Sequence, residues 1–377
     1  MVNYERLINT YLDLIRINSI SGNEGDLANF IANKLSNIGL DVEWHNKENI
    51  GPSLYAELKG HNEGPTILMI GHMDTVDIMK GWTTDPFTPV IDGDKVYGLG
   101  ACDMKGGIAA IIESLETMVE NNVELKGNIA VAFVSDEEIL SRGTYKLLQD
   151  GLKADMAIMA ECRFSEAAIG FRGRYSINVT VYGETGHASK YPYVGESAII
   201  NASKLAVEIE KLPTKIHPIM GEGTWCIRHI EGGIKETLNV PDRCQLFVDR
   251  YTTPEETFDT CKYQILEAAR RLGIEEKVNI ELVPREIPYM EAFEIPKDHP
   301  LVTTIAEKFK EITGKELFLG YDKSVCDSNF LVNIGNIPTI TFGPSGENMH
   351  QANEHGYMSQ LKECAAIYLE TIKSLLK

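Results

Sequence analysis

No stretch of this 377-residue chain approaches the ~20 consecutive apolar residues of a membrane-spanning helix. The segment Met1 to Ile20 carries Glu5, Arg6, Asp13 and Arg16 within its apolar pattern, so the uninterrupted core of a signal peptide is missing. Positive charge is scarce: 36 Lys and Arg face 55 Asp and Glu, for a formal net charge of −19. Such a surface is repelled by phosphate backbones and anionic lipid, which argues against nucleic acid or membrane as main partner. The seven cysteines, at 102, 162, 226, 244, 261, 326 and 364, are odd in number and scattered. They form no CxxC pair and no disulfide framework. Repeats and low-complexity tracts are absent too. What is present is a 43% hydrophobic composition, enough for a sizeable core. The expectation is a soluble, acidic, cytoplasmic globular protein of two or three domains.

Periodicity supplies the organisation. Leu7, Tyr11 and Leu14, with Ile8, Leu12 and Ile15, recur at helical spacing, and a second helix from about Glu24 to Ile38 stops at Gly39. Short apolar runs follow at 53–58, 66–70, 128–134 and 155–159, with a helix beginning near Met104 between them. Near-continuous apolar strands alternating with helices imply an α/β domain whose sheet is covered on both faces. Near Gly173 the pattern changes. Strand 175–182, helix 196–212, strands 224–230 and 245–251, helix 255–272 and strand 278–283 give the order β-α-β-β-α-β. Pro284, Pro288, Pro296 and Pro300 suit a hinge, after which helix, strand and a final amphipathic helix return. The expected division is a catalytic domain at 1–173 and 288–377, interrupted by an inserted lid or dimerisation domain at 174–287.

The polar residues of interest sit just past the apolar strands. Run 66–70 leads into Gly71-His72-Met73-Asp74, run 128–134 into Ser135-Asp136-Glu137-Glu138, and run 155–159 into Ala160-Glu161. Ligands of open α/β sheets bind beyond the C-terminal strand ends. Asp103, at the start of the Met104 helix, and His350, in a late loop, belong with them. Alone, each is an ordinary surface or core residue. Together they offer two imidazoles and four or five carboxylates, an inventory that suits divalent metals and repels itself without one. Spacing does not say which of Glu137 and Glu138 would be the ligand.

The segments GHMDTVD (71–77), GLGACDMKGG (98–107), SDEE (135–138), AEC (160–162), GETGHAS (183–189) and MHQANE (349–354) appear in a recognisable order. In that order and spacing the chain resembles the co-catalytic two-zinc amidohydrolases and exopeptidases. Acetylornithine deacetylase, succinyl-diaminopimelate desuccinylase, aminoacylase and glutamate carboxypeptidase are of this group. The resemblance covers nearly the whole chain. It implies two zinc ions per chain, with cobalt or manganese as substitutes. Asp103 would bridge them, His72 and Glu161 would complete one shell, and Glu138 and His350 the other. Asp74 would hydrogen-bond the His72 imidazole and fix its tautomer. Glu137 would be the general base acting on a metal-bridged water.

In the inserted domain, His187 resembles the family's lid histidine, a donor to the oxyanion that can come from a dimer partner. Asn239 and Arg250 resemble residues that hold the substrate's carboxylate, a task suited to the planar arginine fork. One segment departs from the pattern: 324–330 matches T-S-D-x-R-F at Asp327 and Phe330 but has Asn329 at the arginine position. Cys102 and Cys162, flanking two of these residues, read as small buried side chains. A nucleotide enzyme, suggested by Gly98-x-Gly100, is disfavoured because Asp103 at the third glycine position would repel a pyrophosphate. A non-catalytic binding protein on this fold is disfavoured because Glu137 and all five ligands are present. The expectation is a homodimeric metal-dependent amide hydrolase. Its substrate is a small molecule with a free carboxylate: an N-acyl amino acid, or, alternatively, a peptide cut by a dipeptidase or carboxypeptidase.

Overall fold

The computed structural model describes residues 1–46, 49–61, 63–190, 192 and 194–377. The chain falls into two compact units. Met1–Gly170, Glu294–Tyr321 and Cys326–Lys377 form the first; Phe171–Phe293 with Asp322–Val325 forms the second.

The first unit is built on a mixed sheet flanked by helices. Its strands run in the order Val42–His45, Ser53–Leu58, Asn128–Val134, Thr66–His72, Met156–Met159, Thr339–Thr341, Glu166–Phe171, Phe293–Glu294, and Phe318–Asp322 joins at Glu166–Phe171. The central four, from Asn128–Val134 to Thr339–Thr341, are parallel. Those at either side pair antiparallel. Every residue of Thr66–His72 after Thr66 is buried, which is why this strand reads as a continuous apolar run rather than an alternating one. The helix Lys105–Glu120 packs on it and is itself covered by Tyr4–Arg16 and Met358–Leu375.

Gly107 explains how that helix comes so close. A Cβ there would sit 2.1 Å from the Ala160 carbonyl oxygen, so only glycine lets the first helical turn lie against the end of Met156–Met159. The close approach carries Asp103 to the strand ends. A small sheet of Gly346–Glu347, His355–Tyr357, Lys95–Tyr97 and Val90–Asp92, which the apolar pattern did not announce, brackets the loop of His350.

The second unit is a four-stranded antiparallel sheet in the order Thr224–Gly232, Arg243–Thr252, Gly173–Tyr182, Val278–Leu282, with helices Ala198–Ile209 and Phe258–Arg271. Alternate residues Tyr175, Ile177, Val179 and Val181 point into its core, where they meet Leu205, Leu246, Val248 and Ile265. A two-residue-stranded hairpin, Ile216–His217 with Gly221–Glu222, is an addition to the expected order. Among the described residues no helix is long and apolar enough to cross a membrane.

Candidate metal centre

Strand register brings the site together. Val134 lies level with His72, while Met159 lies level with Ile70, so Glu161 falls beside His72 two residues on. The parallel ladder continues past the strands through Met73 N–H to the Val134 carbonyl at 2.7 Å and Ala160 N–H to the Ile70 carbonyl at 2.9 Å. Three chain segments therefore leave the sheet side by side, each carrying an imidazole or a carboxylate.

The arrangement centres on Asp103. Its Oδ1 lies 3.0 Å from His72 Nε2, and its Oδ2 lies 3.1 Å from His350 Nε2. Glu161 Oε1 is 3.2 Å from the same His72 nitrogen. Glu138 Oε1 is 3.1 Å from the same His350 nitrogen. One carboxylate thus faces two imidazoles with its two oxygens, and each imidazole has a further carboxylate beside it. Glu137 places a carboxylate oxygen within 4.8 Å of the ligand atoms of His72 and Glu161. His350 adopts a left-handed φ of +59°, which turns its ring from the loop back to Asp103.

Asp74 is fully buried and binds the glutamate loop. Its Oδ1 accepts the Glu137 N–H and its Oδ2 the Glu138 N–H, both at 3.1 Å, and Ser21 Oγ donates to Oδ2 at 2.8 Å. The His72 tautomer is set by a different atom of the same residue: Nδ1–H donates to the Asp74 backbone carbonyl at 2.9 Å, whereas the carboxylate stands 3.5 Å away. Asp136 contributes from below, with φ +71° and a carboxylate that takes Arg142 Nε at 2.7 Å and Nη2 at 2.6 Å. This anchors the turn that swings Glu137 and Glu138 out of the strand.

Electrostatics follow from burial and crowding. Burial pushes the Glu161 carboxyl up to about 7, and nearby Asp103 adds to it. Burial, with Asp327, Glu161 and Glu138 close by, holds Glu137 well above the usual carboxylate range. Glu138 is raised by burial and by Asp103. Asp103 goes the other way: against the effect of its burial, His350 and His72 hold it well below its ordinary value. Asp103 and Glu138 push His350 up to about 10. His72 is raised well above its usual value despite complete burial, because Glu161, Asp103 and Asp74 surround it. Strongly shifted groups of both signs converging in one place mark a functional site.

These residues fit divalent cations. Two imidazole Nε2 atoms and carboxylate oxygens converge, His72 Nδ1 is already engaged so that Nε2 is free to bind, and His72, Asp103 and Glu138 offer atoms within 4.8 Å of one another. Cys162 Sγ also lies within 4.8 Å of Asp103 and Glu161 ligand atoms. Contact with Cys102 and burial push its thiol well above the usual range, and Met349 Sδ sits 3.4 Å away.

Three further sequence candidates, His187, Asn239 and Arg250, belong to the second unit. His187 and Asn239 are paired across an isolated bridge in the second unit, and both are exposed. Ser189 Oγ holds His187 Nδ1 at 2.8 Å, while Nε2 has no partner among the described residues. Arg250 is 0% exposed. Strand alternation turns it inward with Leu246 and Val248, where it pairs with Glu256, donates to the Tyr251 carbonyl and lies 4.6 Å over the Trp225 ring. Its fork is engaged within its own unit. Asn329 is fully buried, and its Oδ1 accepts the Cys326 N–H at 2.9 Å, closing its own turn. Reasoning from sequence passed over Ser21, Asp136 and Glu354. Of these, only the run of acids in Ser135–Glu138 and the Glu at the end of 349–354 left any trace.

Comparison with known proteins adds four findings. The family model described as Peptidase family M20/M25/M40 matches residues 68–374. A succinyl-diaminopimelate desuccinylase of Nitrosomonas eutropha is 28% identical over 96% of both chains. Among solved structures, a tripeptidase of Staphylococcus aureus superposes with a TM-score of 0.81 at 24% identity, covering 100% of this chain and 99% of its own. The Bacillus subtilis protein described as a dinuclear metal binding peptidase superposes with a TM-score of 0.76 at 17% identity, covering 99% and 98%.

Proposed function

The chain belongs to peptidase family M20/M25/M40, and from that premise we propose that it is a two-zinc hydrolase that removes the acyl group from an N-acyl amino acid. Hydrolysis of an amide or peptide bond is the chemistry of the family and of the desuccinylase relatives. The observation that carries the metal reading is Asp103, whose two oxygens face His72 and His350 at 3.0 and 3.1 Å. His72, Asp103 and Glu161 would hold one ion, and Asp103, Glu138 and His350 the other. When bound, such ions make a water acidic enough to ionise near neutral pH and polarise the scissile carbonyl.

The chain's own groups do the rest. Glu137, as the carboxylate, takes the proton of the attacking water and passes it to the departing amine nitrogen; burial raises its affinity for that proton. Asp74 keeps that carboxylate in place through the Glu137 N–H. His187, exposed and with Nε2 unpartnered among the described residues, would donate to the oxygen that gains negative charge, from this chain or from a dimer partner. Asn239, its bridge partner, would contact the substrate's carboxylate. Arg250 would join it only by leaving Glu256.

A homodimer formed through the second unit is part of the proposal. Thr224–Gly232 is an edge strand, and Ile230 on it, with Ile200 and Val207 on the neighbouring helix, is exposed. The test is amine release with and without added zinc across matched N-acyl amino acids and dipeptides. Zinc-dependent release from the acyl series supports the deacylase. Release mainly from dipeptides makes the chain an exopeptidase. Glu137→Gln should keep both metals and lose several powers of ten in turnover; near-normal turnover would remove Glu137 from the role.

A further inference from the structure

Glu354 lies four residues beyond His350, and it is 2% exposed. Its carboxylate is enclosed by main-chain donors of another segment. Oε2 accepts the Gly100 N–H at 3.0 Å, and Oε1 accepts the N–H groups of Cys102 at 2.8 Å and of Asp103 itself at 3.0 Å. Its own carbonyl accepts the Gly98 N–H at 3.0 Å. These contacts join loops separated by 251 to 254 residues. Gly100, at φ +78°, lets the donor loop curl so that its amides converge. Among the described residues no Lys or Arg forms an ion pair with Glu354; the buried Lys105 donates to the Ile17 carbonyl at 2.8 Å instead. The carboxylate oxygens are therefore met by main-chain amides, as in an anion nest turned inward, with the Lys105 charge near enough to be felt.

We propose that Glu354 is the positioning residue of the metal centre. It locks the loop of Asp103 to the loop of His350, so that Asp103 presents one oxygen to each imidazole. This rests on the reading of Asp103 and His350 as ligands. The pinned Asp103 amide holds the backbone that carries its side chain close to the loop of His350. A neutral amide cannot replace the carboxylate. Its oxygen could take the Cys102 and Asp103 donors, but its NH2 would then face the Gly100 N–H, donor against donor. An aspartate, one methylene shorter, keeps the charge and cannot span both sides.

The experiment is a cobalt(II) titration of the metal-free full-length protein, followed by calorimetry and by the visible absorption of the bound ion. It compares wild type, Glu354→Gln, Glu354→Asp and a control, Glu113→Gln. Glu113 holds a comparable buried network remote from the site, with Arg6 Nε at 2.7 Å and the Asn3 N–H at 2.7 Å. Glu354→Gln should weaken cobalt binding about 10- to 100-fold and alter the visible spectrum. Glu113→Gln should lower the Tm while leaving isotherm and spectrum unchanged. A wild-type isotherm and spectrum in Glu354→Gln would overturn the proposal. Should that variant not fold, Glu354→Asp carries the test with the same two outcomes. A wild type that takes up no cobalt would overturn the ligand reading itself, and with it this inference, a failure visible without any variant.

Discussion

Replacing Asp74 by Asn separates the two tasks of that residue. The backbone carbonyl that orients His72 at 2.9 Å survives the substitution. The carboxylate that accepts Glu137 N–H, Glu138 N–H and Ser21 Oγ does not. Asn keeps one acceptor oxygen, so one of the two glutamate amides must face an NH2 group. An unpaired buried donor costs about 1–3 kcal/mol. Exchanging charge-assisted for neutral hydrogen bonds costs roughly another 1 kcal/mol. A total of about 2–4 kcal/mol exceeds what a short loop needs to shift, so Glu137 should move away from its working position. A misplacement on the order of 1 Å costs about 100-fold in turnover. Turnover at saturating zinc and the urea midpoint are the measurements, with Ser21→Ala as a control that removes one donor and costs about 1 kcal/mol. Turnover of Asp74→Asn within threefold of wild type, with an unchanged midpoint, would refute the assignment of the loop to this carboxylate.

Three further outcomes are expected. Gly107→Ala drives a Cβ against the Ala160 carbonyl at 2.1 Å, so the helix must back away from the strand end. A loss of about 1–3 kcal/mol in urea unfolding, together with weaker metal binding, is expected; wild-type metal affinity would show that the close approach does not place Asp103. Arg250→Met leaves Glu256 buried without its partner, and should cost about 3–5 kcal/mol; a raised KM with unchanged stability would restore Arg250 as a substrate clamp. Burial raises the Glu291 carboxyl, outweighing the opposing hydrogen bond from Tyr175. A raised folded value means the stabilisation is complete below the unfolded value near 4.3 and is lost as pH rises through the folded one. The urea midpoint of wild type minus that of Glu291→Gln should therefore be larger at pH 4 than at pH 7, and a difference independent of pH would contradict this.

Much of the first unit is legible because its buried parallel strands need apolar side chains on both faces. Thr66–His72 and Asn128–Val134 announce themselves as runs, and the polar residues that follow mark the strand ends. The short strands Lys95–Tyr97 and His355–Tyr357 are not legible, because three residues hold no period and their pairing spans most of the chain. In the second unit, alternation along Gly173–Tyr182 identifies the core side residue by residue. The same alternation, applied to Arg243–Thr252, turns Arg250 inward with Leu246 and Val248.

By itself, then, the order of residues picked out His72, Asp103, Glu137, Glu138, Glu161 and His350 as candidates, through their places beyond the apolar strands and the resemblance of the segments that carry them. What only the tertiary structure decided is which atom serves which partner. The Asp74 carboxylate turned to two amides rather than to the imidazole, and Glu354 closed on the Asp103 loop from the far end of the chain. Local patterning records which side chains are buried and where a strand ends. It leaves no mark of a hydrogen bond between a carboxylate and the backbone of a distant segment, because any residue but proline supplies that N–H.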